Sequence, residues 1–294
     1  MKEISERKSI LYVFLCYMSW GILPLFWKIL SKLDALYILS SRILWATVFC
    51  LILVLINGKW EEVKEVLKDK GQRKLLFVAG VMLGINWGVY IYAVNSNHVL
   101  EGSLAYYMNP LLAIGIGFFV FHEKLKVSQW VSMAIAFTGI FVSIIGYGKI
   151  PYLAILIGGS FAVYGAVKKG IRCSSLVSNL LEGMVLLPLA FAYIVISEVN
   201  GNGAMGQLVS AEYLLLPMTG IVTAIPLLLF ATGIKKVSMS LSGILMYVNP
   251  TLQLLIGVFI FHETLETPTI IMFSCVWIAL VIFVQSAVLR QSRS

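Results

Sequence analysis

Charge is what this sequence has least of. Only 12% of its 294 residues are Asp, Glu, Lys or Arg, where roughly 25% is usual in soluble domains. With 60% hydrophobic residues and a mean hydropathy of +0.92, too little polar surface remains to cover a water-soluble globule. A net charge of +8 could suit nucleic acid, but the Lys and Arg sit in short loops between apolar runs. That pattern belongs to the cytoplasmic flanks of membrane spans, so no nucleic-acid partner is expected. The four cysteines form no CxxC spacing. Cys16, Cys50 and Cys275 lie in apolar runs, where Cys behaves as a small hydrophobe, and Cys173 stands beside Lys168, Lys169 and Arg172.

Catalytic signatures are missing too. No G-x-x-x-x-G-K-[ST] occurs, so ATP hydrolysis is not expected. Neither a Ser/His/Asp cluster nor paired intramembrane carboxylates suggest an enzyme, and no cofactor is implied. His122-Glu123 and His262-Glu263 lack the second His of HExxH, reading HEKLK and HETLE. Both close apolar runs, on opposite sides of the membrane, so helix-end and loop contacts are expected there rather than metal. The first apolar run continues from Ile10 to about Leu30 without a small-residue cleavage site. A secretory h-region is only about 7–15 residues long, so this run is expected to be a retained span.

What is present is a series of runs long enough to cross a bilayer. About 20 mainly apolar residues span the hydrocarbon. Ten runs qualify: 10–30, 36–56, 75–94, 101–121, 127–147, 150–167, 176–196, 213–234, 240–261 and 268–289. The sixth is short and Gly-rich. The charged stretch 57–74, with Val63, Val66 and Leu67 at helical spacing, predicts a surface helix. Eighteen Lys and Arg fall in the N-terminus, the even-numbered loops and the C-terminus; the odd-numbered loops hold only Lys32 and Lys149. This asymmetry predicts that both termini face the cytoplasm.

Residues 107–125 (YMNPLLAIGIGFFVFHEKL) and 247–265 (YVNPTLQLLIGVFIFHETL) align without gaps at an offset of 140, with 11 of 19 positions identical. That is duplication. The offset covers five spans, an odd number, so the copies point in opposite directions. The expected fold class is therefore an all-α integral membrane protein of ten transmembrane helices, two inverted five-helix repeats at 1–148 and 149–294. Inverted repeats are a hallmark of alternating-access carriers, although channels such as aquaporins also use them.

Candidate site residues follow from polar groups inside spans. Each copy holds a Tyr-x-Asn-Pro: Tyr107, Asn109 and Pro110, then Tyr247, Asn249 and Pro250. Proline bends or breaks a helix and frees a carbonyl that needs a partner in lipid. The Asn could be local glue at a kink or the wall of a polar cavity, with the prolines as matched gates. Ionisable groups inside spans are costly and functional by default: Lys28, Arg42, Glu182, and Glu101 at a span mouth. Arg42 and Lys28 could instead snorkel to the headgroups, Arg42 lying ~9 Å below its span end at ~1.5 Å per residue. The offset pairs Lys28 with Lys168 and Arg42 with Glu182. A cation there could receive an anionic or zwitterionic group, and Glu182 a proton or a cation. Trp20 and Trp27 share a helical face with Pro24 and Lys28, while Asn86, beside Trp87, lies mid-span near Tyr90. With Tyr164 in the second half, these outline an aromatic, weakly polar cavity suited to amphipathic organic solutes.

The segments SWGILPLFWK (19–28), SRILW (41–45), AYYMNPLL, MYVNPTLQ and the paired FHE ends resemble the RarD branch of the EamA family, within the drug/metabolite transporter (DMT) superfamily. The resemblance covers essentially the whole chain. It implies ten spans, cytoplasmic termini, the bacterial cytoplasmic membrane and export of small metabolites or drugs. Carried over, it points to Trp20, Pro24, Trp27, Lys28, Arg42, Asn109 and Pro110 and their second-half counterparts. Tyr164 stands where Pro24 has its counterpart, and Glu182 opposite Arg42, so the halves are expected to contribute unequally. A secondary carrier for a small-molecule substrate is the leading expectation. It would be surrounded by membrane lipids, work as a monomer or homodimer, and have protons as the candidate coupling ion. An uncoupled facilitator of the same fold is the alternative. A lipid-modifying enzyme would need acidic or metal-binding clusters that the sequence lacks.

Overall fold

The computed structural model describes residues 5–96, 98–148, 150–209, 212–262 and 267–291. Lys2, Lys149, Glu263 and Arg293, which entered the charge and motif arguments above, lie outside them. Long helices follow the apolar runs: α1 (Glu6–Ile29), α2 (Ala35–Ile56), α4 (Lys70–Asn95), α5 (Val99–Phe119), α6 (Val127–Tyr147), α7 (Tyr152–Gly170), α8 (Ser175–Val199) and α10 (Leu215–Gly233). The ninth run is split into α11 (Met239–Met246) and α12 (Val248–Phe259), and α13 covers Thr267–Gln291. The charged connection forms the surface helix α3 (Trp60–Lys68), with Val63 and Val66 buried against the bundle. A short helical turn, α9 (Ala204–Gln207), lies in the other long connection. Among the described residues nine helical segments are long and apolar enough to cross a membrane; α13 carries a shorter apolar stretch, Thr269–Phe283.

Local chemistry sets the helix ends. The carboxylate of Asp34 accepts the backbone N–H groups of Leu36 and Tyr37, and Asp69 accepts those of Gly71 and Gln72, satisfying donors that a helix start leaves free. Gly148 ends α6 in the left-handed region. The two repeats end their fourth spans alike: His122 and His262, 140 apart, are the two non-glycine residues with positive φ among the described residues, at 52° and 57°.

Proline acts differently in each half. Pro24 and Pro110 sit inside helices that continue past them without interruption, so neither breaks its helix. In the second copy the helix is interrupted at Tyr247, three residues before Pro250. The sixth span extends further than its apolar run, to Gly170, because Lys168 is a fully buried helical residue with an internal partner, not the loop cation that the charge count assumed.

The helix pairings carry the duplication into three dimensions. α2 packs on α8, α5 on α11, and α6 on α13, each a span against its own counterpart. The α5–α7 pairing has its twin in α12–α1, the α4–α7 pairing in α10–α1, and α2–α10 in α8–α4. Exchanging the halves maps each of these pairings onto another of them. Small residues allow the closest approaches: a Cβ on Gly220 would lie 2.3 Å from the carbonyl carbon of Trp45, so α10 meets α2 backbone to backbone. Large apolar side chains such as Leu15, Phe77, Phe141 and Leu189 face outward, as a lipid-facing girdle requires.

Candidate functional site

Between the halves lies a cavity of about 670 Å³, within the range of about 300–1,000 Å³ typical of small-molecule pockets. It runs from the middle of the bundle toward the end where α1 finishes and α2 begins. Nine sequence-predicted residues line it: Trp20, Pro24, Trp27, Lys28 and Arg42, then Asn86, Tyr90, Asn109 and Asn249.

Arg42 is its electrostatic centre. The guanidinium carbon lies 4.6 Å from the Trp27 ring centroid and 4.9 Å from that of Trp87, so the cation rests between two indoles. Its Nε donates to Thr223 Oγ1 at 3.1 Å. Among the described residues no carboxylate pairs with it. Lys28 stands exposed at the mouth, with Nζ 3.8 Å from the Phe261 ring centroid. Around them lie amides: Asn86 Nδ2 donates to the Ile157 carbonyl at 2.8 Å, and Gln253 Nε2 donates to Asn249 Oδ1 at 2.8 Å. Asn109 Oδ1 is buried and meets no partner. A buried acceptor without a donor is rare.

The floor is aromatic. Trp20, Phe161, Phe230, Tyr164 and Tyr17 form a continuous ring cluster with centroids 5.4–6.1 Å apart. Below it the bundle is tied shut. Tyr17 shares a 2.8 Å hydrogen bond with Ser242. Lys169 Nζ donates to the carbonyls of Ile234 and Val237, and Lys235 Nζ to that of Cys173. Glu123 accepts the N–H groups of Met239 and Ser240 at the start of α11. Glu123 of the His-Glu pair thus makes helix-end contacts. At the opposite end Glu101 caps α7 through the Leu153 N–H.

Six predicted residues sit elsewhere. Tyr107 and Tyr247 pack in the core beside Phe273, the Tyr247 hydroxyl donating to the Tyr107 carbonyl at 3.3 Å. Pro110 and Pro250 are buried in their helices and do not line the cavity. Glu182 and Tyr164 belong to a separate buried cluster with Lys168, because Glu182 finds its partner inside its own half. Conversely, Tyr106, Phe161, Gln253 and Phe261 line the cavity without having been predicted, and Trp87, noted only as the neighbour of Asn86, joins them. Gln253, a second amide in the apolar run of Asn249 and opposite Ala113 of the other copy, was a usable signal. Phe161 carried none.

An apolar-girdled helical bundle with a cation-bearing cavity of small-molecule size at its centre is a multi-pass membrane protein. Residues 7–145 match the EamA-like transporter family. The uncharacterized transporter YojE of Bacillus subtilis (strain 168) is 40% identical, over 98% of this chain and 97% of that protein. Protein RarD of Streptomyces exfoliatus is 36% identical over 99% and 93%, and Protein RarD of Escherichia coli (strain K12) 34% over 100% and 99%. A solved crystal structure shares the fold, with a TM-score of 0.73 over 95% of this chain and 97% of that one at 17% identity. The chain belongs to the RarD branch of the EamA-like transporter family, a family of transporters and not of enzymes.

Proposed function

We propose that the protein is a secondary carrier that moves small amphipathic metabolites outward by alternating access, using repeats 1–148 and 149–294 as its two inverted halves. One observation carries this reading: an unpaired guanidinium held between two indoles, facing a cavity inside a membrane protein. Placing a charge there is expensive unless a ligand compensates it. Arg42 supplies donors for a carboxylate or similar anion, Asn109 Oδ1 an acceptor for an N–H or O–H group, and the rings of Trp20, Trp27 and Tyr90 a surface for an apolar body. Together they suit a compact organic acid or zwitterion with an apolar or aromatic body. The asymmetry of Lys and Arg between alternate loops supports cytoplasmic termini. In that orientation the cavity faces outward and the tied end faces the cytoplasm, in the cytoplasmic membrane of a bacterium.

Proteoliposomes carrying the purified chain test the reading with a panel of amino acids, nucleosides and phenicols, with and without a pH gradient. Saturable uptake of anionic or zwitterionic solutes that grows with the gradient, and is lost in Arg42→Ala, is the expected result. Uptake indifferent to the substitution would overturn the Arg42 site. Flux that is saturable yet untouched by proton ionophores would favour the uncoupled facilitator.

A further inference from the structure

The closed half of the molecule contains a site that mirrors the open one. Tyr164, Lys168, Ser178, Asn179 and Glu182 form a single buried polar cluster. At the offset of 140 they correspond to Pro24, Lys28, Ile38, Leu39 and Arg42, and all five counterparts line the open cavity. In this cluster the Lys168 ammonium is held by three acceptors, Ser178 Oγ at 2.6 Å, Asn179 Oδ1 at 2.9 Å and Glu182 Oε1 at 2.7 Å. The Tyr164 ring centroid lies 5.5 Å away. Carboxylate, amide oxygen, hydroxyl and an aromatic face make a complete receptor for a primary ammonium group. Lys168 and Glu182 are 0% and 2% exposed.

A small chamber of about 30 Å³ adjoins the cluster, lined by Thr47, Cys50, Trp87, Asn179 and Glu182 among others. Such a space admits a water molecule, which needs ~10–15 Å³. Asn179 is 8% exposed, and its Nδ2 meets no partner. Trp87 lines this chamber and also the large cavity, where it carries the Arg42 guanidinium, so one indole separates the two sites.

We infer that the Lys168–Glu182 cluster is a second recognition site, for an ammonium group, which Lys168 occupies as an internal stand-in while its end of the bundle is closed. The inference rests on the alternating-access reading. In the open half, Lys28 has left the equivalent position for the helix end and stands over the Phe261 ring, leaving Arg42 facing the cavity. The second half has the same provisions. Phe121 is the counterpart of Phe261, and the lysine beside Lys168, Lys169, already lies 5.5 Å from its ring. When the second half adopts the first half's arrangement, Lys168 withdraws toward Phe121 and Glu182 is displayed. The carrier then offers a cation on one side and an anion on the other, matching the two ends of a zwitterion that bears a primary ammonium.

Cys50, 2% exposed and lining the chamber, is a built-in reporter. The full chain with Cys16, Cys173 and Cys275 replaced by alanine is placed in nanodiscs, and Cys50 labelling by a water-soluble maleimide is followed. His262→Cys in the same background serves as a surface control. n-Butylammonium should raise the Cys50 rate several-fold by stabilising the displayed state, n-butanol should not, and Glu182→Gln should erase the response. The combined Glu182→Gln, Lys168→Met chain keeps the cluster neutral and should also give no response, should the single variant fail to fold. Labelling that proceeds at a rate indifferent to n-butylammonium overturns the ammonium site and leaves alternating access standing. No Cys50 labelling under any condition, with His262→Cys labelled, overturns alternating access itself.

Discussion

Tyr247 donates its hydroxyl proton to the backbone carbonyl of Tyr107, so the two residues that hold the same place in the two repeats meet in the core. They sit where α5 and α11 cross, close enough that a Cβ on Gly243 would lie 2.8 Å from the Pro110 carbonyl oxygen. The Tyr-x-Asn-Pro motif therefore divides its labour. Its Tyr joins the halves, and its Asn, two residues on and so on roughly the opposite face of the helix, lines the cavity in each copy.

Arg42 should matter for ligand and not for folding. A half-buried cation held by one hydrogen bond and two rings contributes little net stability. Arg42→Met is expected to keep or raise the thermal midpoint while cutting transport on the order of 10–100-fold, as loss of a charge-assisted contact does. Thermal shift and proteoliposome flux on one preparation check both halves of the statement.

The Lys168–Glu182 pair should behave in the opposite way. Removing one partner strands a buried charge, typically at about 3–5 kcal/mol, whereas replacing both is often near neutral. Lys168→Met and Glu182→Gln alone should each destabilise strongly, and the double variant should recover most of the loss. Denaturation of all four species gives the coupling directly.

Backbone contact between α10 and α2 makes Gly220 intolerant of even one carbon. Gly220→Ala should cost about 1–3 kcal/mol through overpacking, because Trp45 and Ala46 present main chain that cannot move aside. Gly159, with nothing within 4 Å of the same added atom, should accept Ala without loss. Paired melting curves decide this.

Glu62 should make the tied end sensitive to acid. Burial raises its pKa, but the Ser174 N–H at 2.6 Å, the Ser174 hydroxyl at 2.8 Å and the nearby Lys59 ammonium outweigh this and hold the carboxyl below its ordinary value. A depressed carboxylate contributes stability above its unfolded pKa and loses it as pH falls through the folded one. The stability gap between wild type and Glu62→Gln should therefore be full at neutral pH and close below the usual Glu range near ~4.

The proposed opposite orientation of the repeats has a topological consequence. Cysteines placed singly at His122 and His262, both exposed, should be labelled from opposite faces of the membrane by an impermeant reagent. Labelling from one face would refute the inversion.

Much of this was legible in the chain, for reasons specific to particular residues. Hydropathy marked the long helices because lipid imposes a length and an apolar composition on each. Asn86, Asn109 and Asn249 were recognisable because an amide inside such a run must have a partner or a cavity. Glu182 looked equally exposed to function, yet its partner, Lys168, stood in the same sequence and was read as a loop cation. Periodicity says nothing about whether a terminal lysine turns outward to headgroups or inward to a carboxylate 14 residues away. Nor did any residue pattern single out Trp87 as the wall between two sites.

Sequence alone determined the solvent, the helices and the duplication: those follow from composition, run length and self-similarity, which are properties of the chain. Which half stands open, which charges face a cavity and which neutralise each other were decided by tertiary structure. Two like repeats can take unlike conformations, and only the tertiary packing leaves Arg42 on α2 before a void while Glu182 on α8 meets Lys168 of α7.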